Sequence, residues 1–370
     1  MSELKLSRRT LIGGGVAAGL GLPRLAPASG ASMATLPPIP IFDARDVGPV
    51  GHARARLAIM RALLKSCLGT LPSVEQWGVI GLDAAARTWL AATGSAYVAE
   101  IDDIADLLAE KGVFLINAAY EWGCTTLAAP APDGKSARLF RTLDWDFDGL
   151  GRHVEVARQQ GSGGDYYNVT WPGAVGVLTA MAPGRFAASI NKGPLPTGAE
   201  QSADGMPNLA VLKTGVLPSM HLLRQVFDQA TDFTQARTML EQTSIAASTI
   251  FTLAGLHPDQ TCVIERKPDD FVTHMGTSIA ANTWNYATLA KQWPDEKDDE
   301  GDSASRRNAI APFAGRNAAP FAWVKPPLRN GVTRLAVEAD PAKGSLRVRG
   351  YEAAADDADA VPVTADLEIG

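Results

Sequence analysis

The texture of this 370-residue chain changes at Cys124, and that change limits the fold more than any other feature. Before it, apolar residues recur at helical spacing. Leu57, Met60, Leu63, Leu64 and Cys67 alternate with Arg54, Arg56, Arg61 and Lys65, which predicts one amphipathic helix over residues 52–67. Helical patterns also cover 83–92 and 97–110, and 113–122 is apolar enough for a buried helix. After Cys124 come short extended stretches at 125–129, 138–143, 153–158, 166–171, 175–181 and 185–191. Turn residues such as Pro132-Asp133-Gly134-Lys135 and Pro183-Gly184 separate them. Strands so closely spaced pair antiparallel, because parallel neighbours need a long crossover. Two helices (219–230 and 233–242) follow, then strands at 248–253, 261–266, 271–274 and 278–282. An acidic loop at 295–302, a helix from Arg306 and a closing hairpin of 334–339 with 345–350 complete the chain. The class is α+β, with helices covering antiparallel sheets.

Ser7-Arg8-Arg9-Thr10-Leu11-Ile12 and the Gly-rich apolar run behind it form a twin-arginine export pattern, ending at Ala26-Pro27-Ala28. Residues 1–28 are therefore expected to be a signal peptide, and the mature protein to be periplasmic or secreted by a bacterium. The formal charge is −6 for the whole chain. Residues 1–28 carry Lys5, Arg8, Arg9 and Arg24 against Glu3, so removing them leaves −9. An acidic chain without a basic stripe is a poor partner for nucleic acid. Three cysteines (Cys67, Cys124, Cys262) do not make a disulfide framework, although a Cys67–Cys262 bridge stays open. The five histidines lack ligand spacing, so no metal is expected.

The sharpest constellation is Cys124-Thr125-Thr126 at the start of a strand, followed across a tight turn by Arg141-Thr142-Leu143-Asp144. Folding the second strand back brings Arg141 and Asp144 towards Cys124. A thiol must lose its proton to attack an amide, and no histidine lies nearby in sequence. If Cys124 heads a mature chain, its own α-amine serves as base, since such amines titrate at about 7.7 to 8.0. Asp144 would orient that amine, and Arg141 would stabilise the thiolate or the substrate carbonyl. A small buried hydrophobe beside a surface Arg–Asp pair fits the same residues.

A family resemblance separates these readings. Tyr120-Glu121-Trp122-Gly123-Cys124-Thr125-Thr126 resembles the Tyr-Glu-…-Cys-Thr-Ser cleavage segment of acid ceramidase and N-acylethanolamine acid amidase, N-terminal nucleophile (Ntn) hydrolases related to choloylglycine hydrolases. Leu139-Phe140-Arg141-Thr142-Leu143-Asp144-Trp145 is similar to their Gly-Arg-Asn-x-Asp-(aromatic). Trp171-Pro172-Gly173-Ala174-Val175-Gly176-Val177-Leu178-Thr179-Ala180 with Pro183-Gly184-Arg185 resembles Gly-x-Val-Gly-x-Leu-Thr-Gly…Lys-Pro-Gly. Leu253-Ala254-Gly255…Cys262-Val263-Ile264-Glu265-Arg266, Ala281-Asn282-Thr283-Trp284 and Ser305-Arg306-Arg307 continue the likeness in the same order.

The resemblance implies an αββα sandwich of antiparallel sheets. Residues 35–123 would form a helical α-subunit, or pro-region, that stays attached after self-cleavage through the apolar 113–122 face. Residues 124–370 would form the catalytic β-subunit. It implies hydrolysis of a linear, hydrophobic N-acyl amide without metal or organic cofactor. Cys124 would be the nucleophile, flanked by Arg141 and Asp144, with Asn282 an oxyanion donor and Arg306 completing the polar cluster. Asn191 would contact the substrate. A penicillin or bile-salt type acylase, an acyltransferase and a non-catalytic exported binding protein are the rival readings. The chain departs from the pattern at Asn191-Lys192-Gly193, where ceramidase-like members carry Asn-Glu-Arg. It departs again at Thr126 in place of Ser, and at Gly123, where relatives carry a bulkier residue before the scissile bond.

Overall fold

The computed structural model describes residues 36–69, 73–118, 123–194, 214–285, 303–354 and 358–370. The twin-arginine segment, residues 119–122 before Gly123, and the acidic stretch 295–302 lie outside the described residues. Among the described residues five helices precede Cys124: α1 (Gly48–Ala55), α2 (Leu57–Gly69), α3 (Ser73–Ala92), α4 (Val98–Leu108) and α5 (Val113–Ala118). Three follow among the described residues: α6 (Ser219–Gln229), α7 (Phe233–Gln242) and α8 (Ser303–Ile310).

The single helix expected over 52–67 is two. At Arg56 the backbone leaves helical geometry (φ −125°, ψ 25°), and the Arg56 guanidinium reaches the buried Glu155 carboxylate at 2.8 Å. An ion pair to another element thus overrides an unbroken apolar stripe. α4 stops at Ala109, whose left-handed φ of 55° closes it.

The strands are β1 (Ile41–Asp43), β2 (Gly123–Pro130), β3 (Ala137–Asp144), β4 (Glu155–Gly161), β5 (Gly164–Thr170), β6 (Thr179–Ala182), β7 (Phe186–Lys192), β8 (Thr249–Ala254), β9 (Thr261–Arg266), β10 (Phe271–Met275), β11 (Ser278–Ala280), β12 (Thr333–Asp340), β13 (Ser345–Ala353), β14 (Ala360–Pro362) and β15 (Leu367–Ile369). Eight strands form one sheet in the order β1-β4-β5-β6-β7-β8-β9-β10. The other sheet runs β11-β2-β3-β12-β13-β14, with β15 on β13. All these pairs are antiparallel except β1 with β4, a short strand lent by the segment before Cys124. β6 starts at Thr179, not at 175. The loop before it is committed to the helical segment, with Asn117 accepting from the Val175 amide.

β2 and β3 face β7, β8 and β9, with Leu139 and Leu143 turned inward from β3; Ile190, Phe251 and Leu253 lie on the other face of the eight-stranded sheet, in the apolar layer beneath its helices. α6 and α7 cover the outer face of the eight-stranded sheet, and α8 lies on the outer face of β2. The outcome is the expected four-layered αββα arrangement. Helices α1 to α5 share a core of their own (Met60, Leu64, Trp89, Ile101, Phe114) that takes in Val175, Ala246 and Ala247 of the following segment. Gly173 permits this close seat: its φ is +86°, and a Cβ there would meet Met60 Sδ at 2.6 Å.

Candidate active site

Strand parity decides how the cluster is arranged. Cys124 sits opposite Leu143 in the β2–β3 ladder, and Thr126 opposite Arg141. Ladder partners share a face, and successive residues alternate. Cys124, Thr126, Leu143 and Arg141 therefore project into the space between the sheets, while Thr125 and Asp144 project outward to α8. The contacts agree. Thr126 Oγ1 meets Thr252 Oγ1 of the opposing sheet at 2.7 Å, whereas Thr125 Oγ1 accepts from Arg306 of α8 at 3.0 Å.

Cys124 is fully buried. Arg141 Nη2 lies 2.9 Å from its Sγ and donates to the Ile190 carbonyl at 3.0 Å, while Arg141 Nη1 donates to the Thr179 hydroxyl. Burial pushes the thiol up to about 11, against the opposing pull of Arg141. In the continuous chain Cys124 is thus a protonated, sequestered group. The Cys124 backbone N–H donates to Asn282 Oδ1 at 2.9 Å, so the atom that becomes the α-amine on cleavage at Gly123–Cys124 already has an acceptor. Asn282 Nδ2 donates to the Lys192 carbonyl at 3.0 Å.

Arg306, expected at a helix start, is buried. Its Nη1 donates to the Cys124 carbonyl at 2.6 Å and its Nη2 to Asn282 Oδ1 at 3.1 Å. Asp144 stands 4.0 Å from Arg306 Nη1 and accepts from Thr333 at 2.7 Å and Asn330 at 3.2 Å. Burial raises the Asp144 pKa, and Arg306 opposes that rise. Arg141 and Asp144 both approach Cys124, as the hairpin implied, but from opposite faces: Arg141 reaches the sulfur, and Asp144 meets the arginine that holds the backbone. Asn191 is buried close by. Its Nδ2 donates to the Ala281 carbonyl at 3.0 Å, and its Oδ1 has no hydrogen-bond partner among the described residues. Thr179, Ser303, Asn330 and Thr333 complete the constellation and were not singled out in the sequence. Thr179 alone carried a signal, in the Leu178-Thr179-Ala180 match.

Beside the cluster lies an apolar cleft with a cavity volume of about 60 Å³. Leu63, Leu64 and Asn117 of the helical segment form one wall, and Trp145, Trp171 and Leu178 another. Trp145 follows Asp144 in the chain, and Leu178 precedes Thr179, so the cleft adjoins the polar cluster. Cys67 lines this cleft while Cys262 lies in β9, and the two are not bonded to each other.

The two segments are clamped by buried polar contacts as well as by the apolar face of α5. On α6, His221, Arg224 and Asp228 share one side. His221 meets Ser95, Arg224 forms a two-pronged pair with Glu100, and Asp228 accepts from Tyr97. His52 and Arg56 both reach Glu155 on β4. Among the described residues no group of His, Cys, Asp and Glu is placed to hold a metal ion. No described helix is long and apolar enough to cross a membrane.

No family model matches the chain. A curated relative, a probable acid ceramidase of Caenorhabditis elegans, is 25% identical over 241 residues, covering 60% of this chain and 60% of that protein. The chain is acid ceramidase-like in sequence. The match spans about three fifths of the relative's length. Two solved structures are also similar. The Caenorhabditis elegans N-acylethanolamine-hydrolyzing acid amidase ortholog has a TM-score of 0.46 and 19% identity, over 59% of this chain and 93% of that one. A mutant of the conjugated bile acid hydrolase from Clostridium perfringens has a TM-score of 0.38 and 10% identity, over 67% of this chain and 96% of that one.

Proposed function

We propose that this protein is an exported cysteine amidohydrolase that cuts its own Gly123–Cys124 bond and then hydrolyses linear N-acyl amides with a hydrophobic acyl group. The observation that carries this reading is that both reactive atoms of Cys124 are already held: its nitrogen by Asn282 and its sulfur by Arg141. Cutting turns the amide nitrogen into an amine, which is basic where an amide is not. The amine takes the thiol proton, and Arg141 stabilises the resulting thiolate. The thiolate attacks the substrate carbonyl to form a tetrahedral adduct. Asn282 is suited to hold the amine through Oδ1. Its Nδ2 serves the oxyanion by exchanging the Lys192 carbonyl for the new negative oxygen. The adduct collapses to a thioester, the C–N bond breaks, and the protonated α-amine returns its proton to the leaving amine. Water, deprotonated by the same amine, then releases the carboxylic acid and restores the thiol. Asp144 keeps Arg306 on the Cys124 carbonyl, fixing the backbone through these steps. The apolar cleft is suited to the acyl chain, and Asn191 Oδ1 offers an acceptor for a substrate N–H.

Trapping the acyl-enzyme tests this reading. Incubation with N-acyl amides of graded chain length, followed by an acid quench, should add the acyl mass to the Cys124 peptide and to no other. Hydrolysis without such an adduct, or an adduct unaffected by Cys124→Ser, rejects the mechanism. Transfer of the acyl group to added amines faster than to water would favour the acyltransferase reading instead.

A further inference from the structure

Arg141 is a buried guanidinium with an unusual set of neighbours. Its described partners are all uncharged: the Thr179 hydroxyl, the Ile190 carbonyl and the Cys124 sulfur. Its Nε has no hydrogen-bond partner among the described residues. The one carboxylate on its strand, Asp144, leaves the sheet on the other face and is matched to Arg306. A buried cation usually sits against a carboxylate, which cancels its charge. Among the described residues no carboxylate does so here, and the anion that fits the place is the thiolate that Cys124 would become.

We propose that Thr179 is a positioning residue that holds the Arg141 guanidinium against Cys124 Sγ through an uncharged hydrogen bond, so that no paired carboxylate competes with the thiolate for it. The inference rests on the proposed function for its purpose, not for its geometry. Thr179 is buried at the first position of β6, opposite Ser189 of β7, and its side chain faces β3 across the sandwich. Arg141 Nη1 goes to this hydroxyl, and Nη2 spans the Ile190 carbonyl and the sulfur. Fixing Nη1 therefore fixes the orientation of the planar fork, and with it the position of Nη2. The Ile190 carbonyl alone leaves the plane free to turn about that contact. A carboxylate at position 179 would hold the fork as well but would neutralise it. A valine has the same shape and no acceptor, so it would let the fork turn away.

The test is the pH dependence of Cys124 alkylation in self-cleaved enzyme, read by peptide mass so that Cys67 and Cys262 are counted separately. Thr179→Val should move the midpoint for Cys124 upward by about one pH unit, within the range expected when a nearby opposite charge is displaced. Thr179→Ser should titrate within a few tenths of a unit of wild type, rescuing the effect by restoring the hydroxyl alone. If Thr179→Val fails to fold, Thr179→Ala removes the hydroxyl without adding a methyl and should show the same upward shift. A midpoint unchanged in folded Thr179→Val or Thr179→Ala overturns the proposal, as does a shift that Thr179→Ser fails to rescue. No substrate enters this measurement. A protein that shows the shift but hydrolyses no amide would reject the proposed function and leave this role of Thr179 standing.

Discussion

Arg141 and Asp144, three residues apart on β3, leave the strand on opposite faces. Arg141 donates to the Cys124 sulfur between the sheets, and Asp144 stands 4.0 Å from Arg306 on the outside. The two charges therefore act on different atoms of one residue. Arg141→Met should mainly disable the thiol, raising its alkylation midpoint. Asp144→Asn should mainly disturb the backbone hold of Arg306 and slow self-cleavage. Gel analysis of the cut fraction together with alkylation profiles separates the two effects. Identical profiles for both variants would contradict the division of labour.

That division was within reach of the sequence. Residues an odd number apart on a strand must point apart, so 141 and 144 could not both face one side chain. The β2–β3 hairpin itself was legible because a turn-forming Pro132-Asp133-Gly134-Lys135 separates two apolar runs. The burial of Arg306 was not legible, because its partners Cys124 and Asn282 are brought to α8 from distant parts of the chain. Asn330 and Thr333, which hold Asp144, are brought to it by β12 and carry no local pattern. The short strands β1, β14 and β15 were missed because three residues are too few to show a period. The sequence implies an apolar hold between the segments, because 113–122 is apolar. The polar half of it depends on α6 residues three and four apart and on Glu155 of β4, which meet their partners Ser95, Tyr97, Glu100, His52 and Arg56 only in the folded chain.

Those α6 contacts predict how the cut protein stays together. Arg224 is buried between Glu100 and Asp228, with its guanidinium 4.0 Å from the centre of the Tyr97 ring. Removing one member of a buried pair typically costs about 3–5 kcal/mol, because the other charge is stranded. Arg224→Met should therefore let the two chains of the cut protein separate at clearly lower urea on size exclusion. Co-elution at the wild-type urea midpoint would show that the apolar face of α5 suffices.

His221 gives the same interface a pH dependence with a definite sign. Burial and the neighbouring Arg224 hold its pKa down to about 3, from an ordinary value of 6.5. Between those values the unfolded chain binds a proton that the folded one refuses. Stability therefore falls as pH drops from about 6.5 towards about 3, by up to ~1.4 kcal/mol per pH unit from this residue. Above pH 6.5 its contribution is constant. Denaturant titrations of His221→Gln should show a shallower loss over that window. Parallel wild-type and variant curves would remove His221 from the account.

Asn282 is expected to matter twice. Its Oδ1 holds the Cys124 nitrogen, and its Nδ2 is the proposed oxyanion donor. Asn282→Ala should therefore cut slowly. Its cleaved fraction should lose kcat by roughly 10²–10³ with little change in KM, the range for removing one such donor. Cleaved, folded Asn282→Ala with wild-type kcat would leave Asn282 a structural amide.

Export is independent of the site. Replacing Arg8 and Arg9 with Lys keeps the charge but removes the paired guanidinium groups that a twin-arginine receptor reads. Export to the periplasm should stop. Normal accumulation of the double variant there would exclude that route.

The free α-amine of Cys124 is the centre of the account, and intact mass with N-terminal sequencing of the purified protein tests it most directly. Two associated chains are predicted, the longer one beginning Cys124-Thr125-Thr126, while Cys124→Ala remains a single chain. Wild-type protein that is fully active on an N-acyl amide while still uncut at Gly123–Cys124 would contradict it.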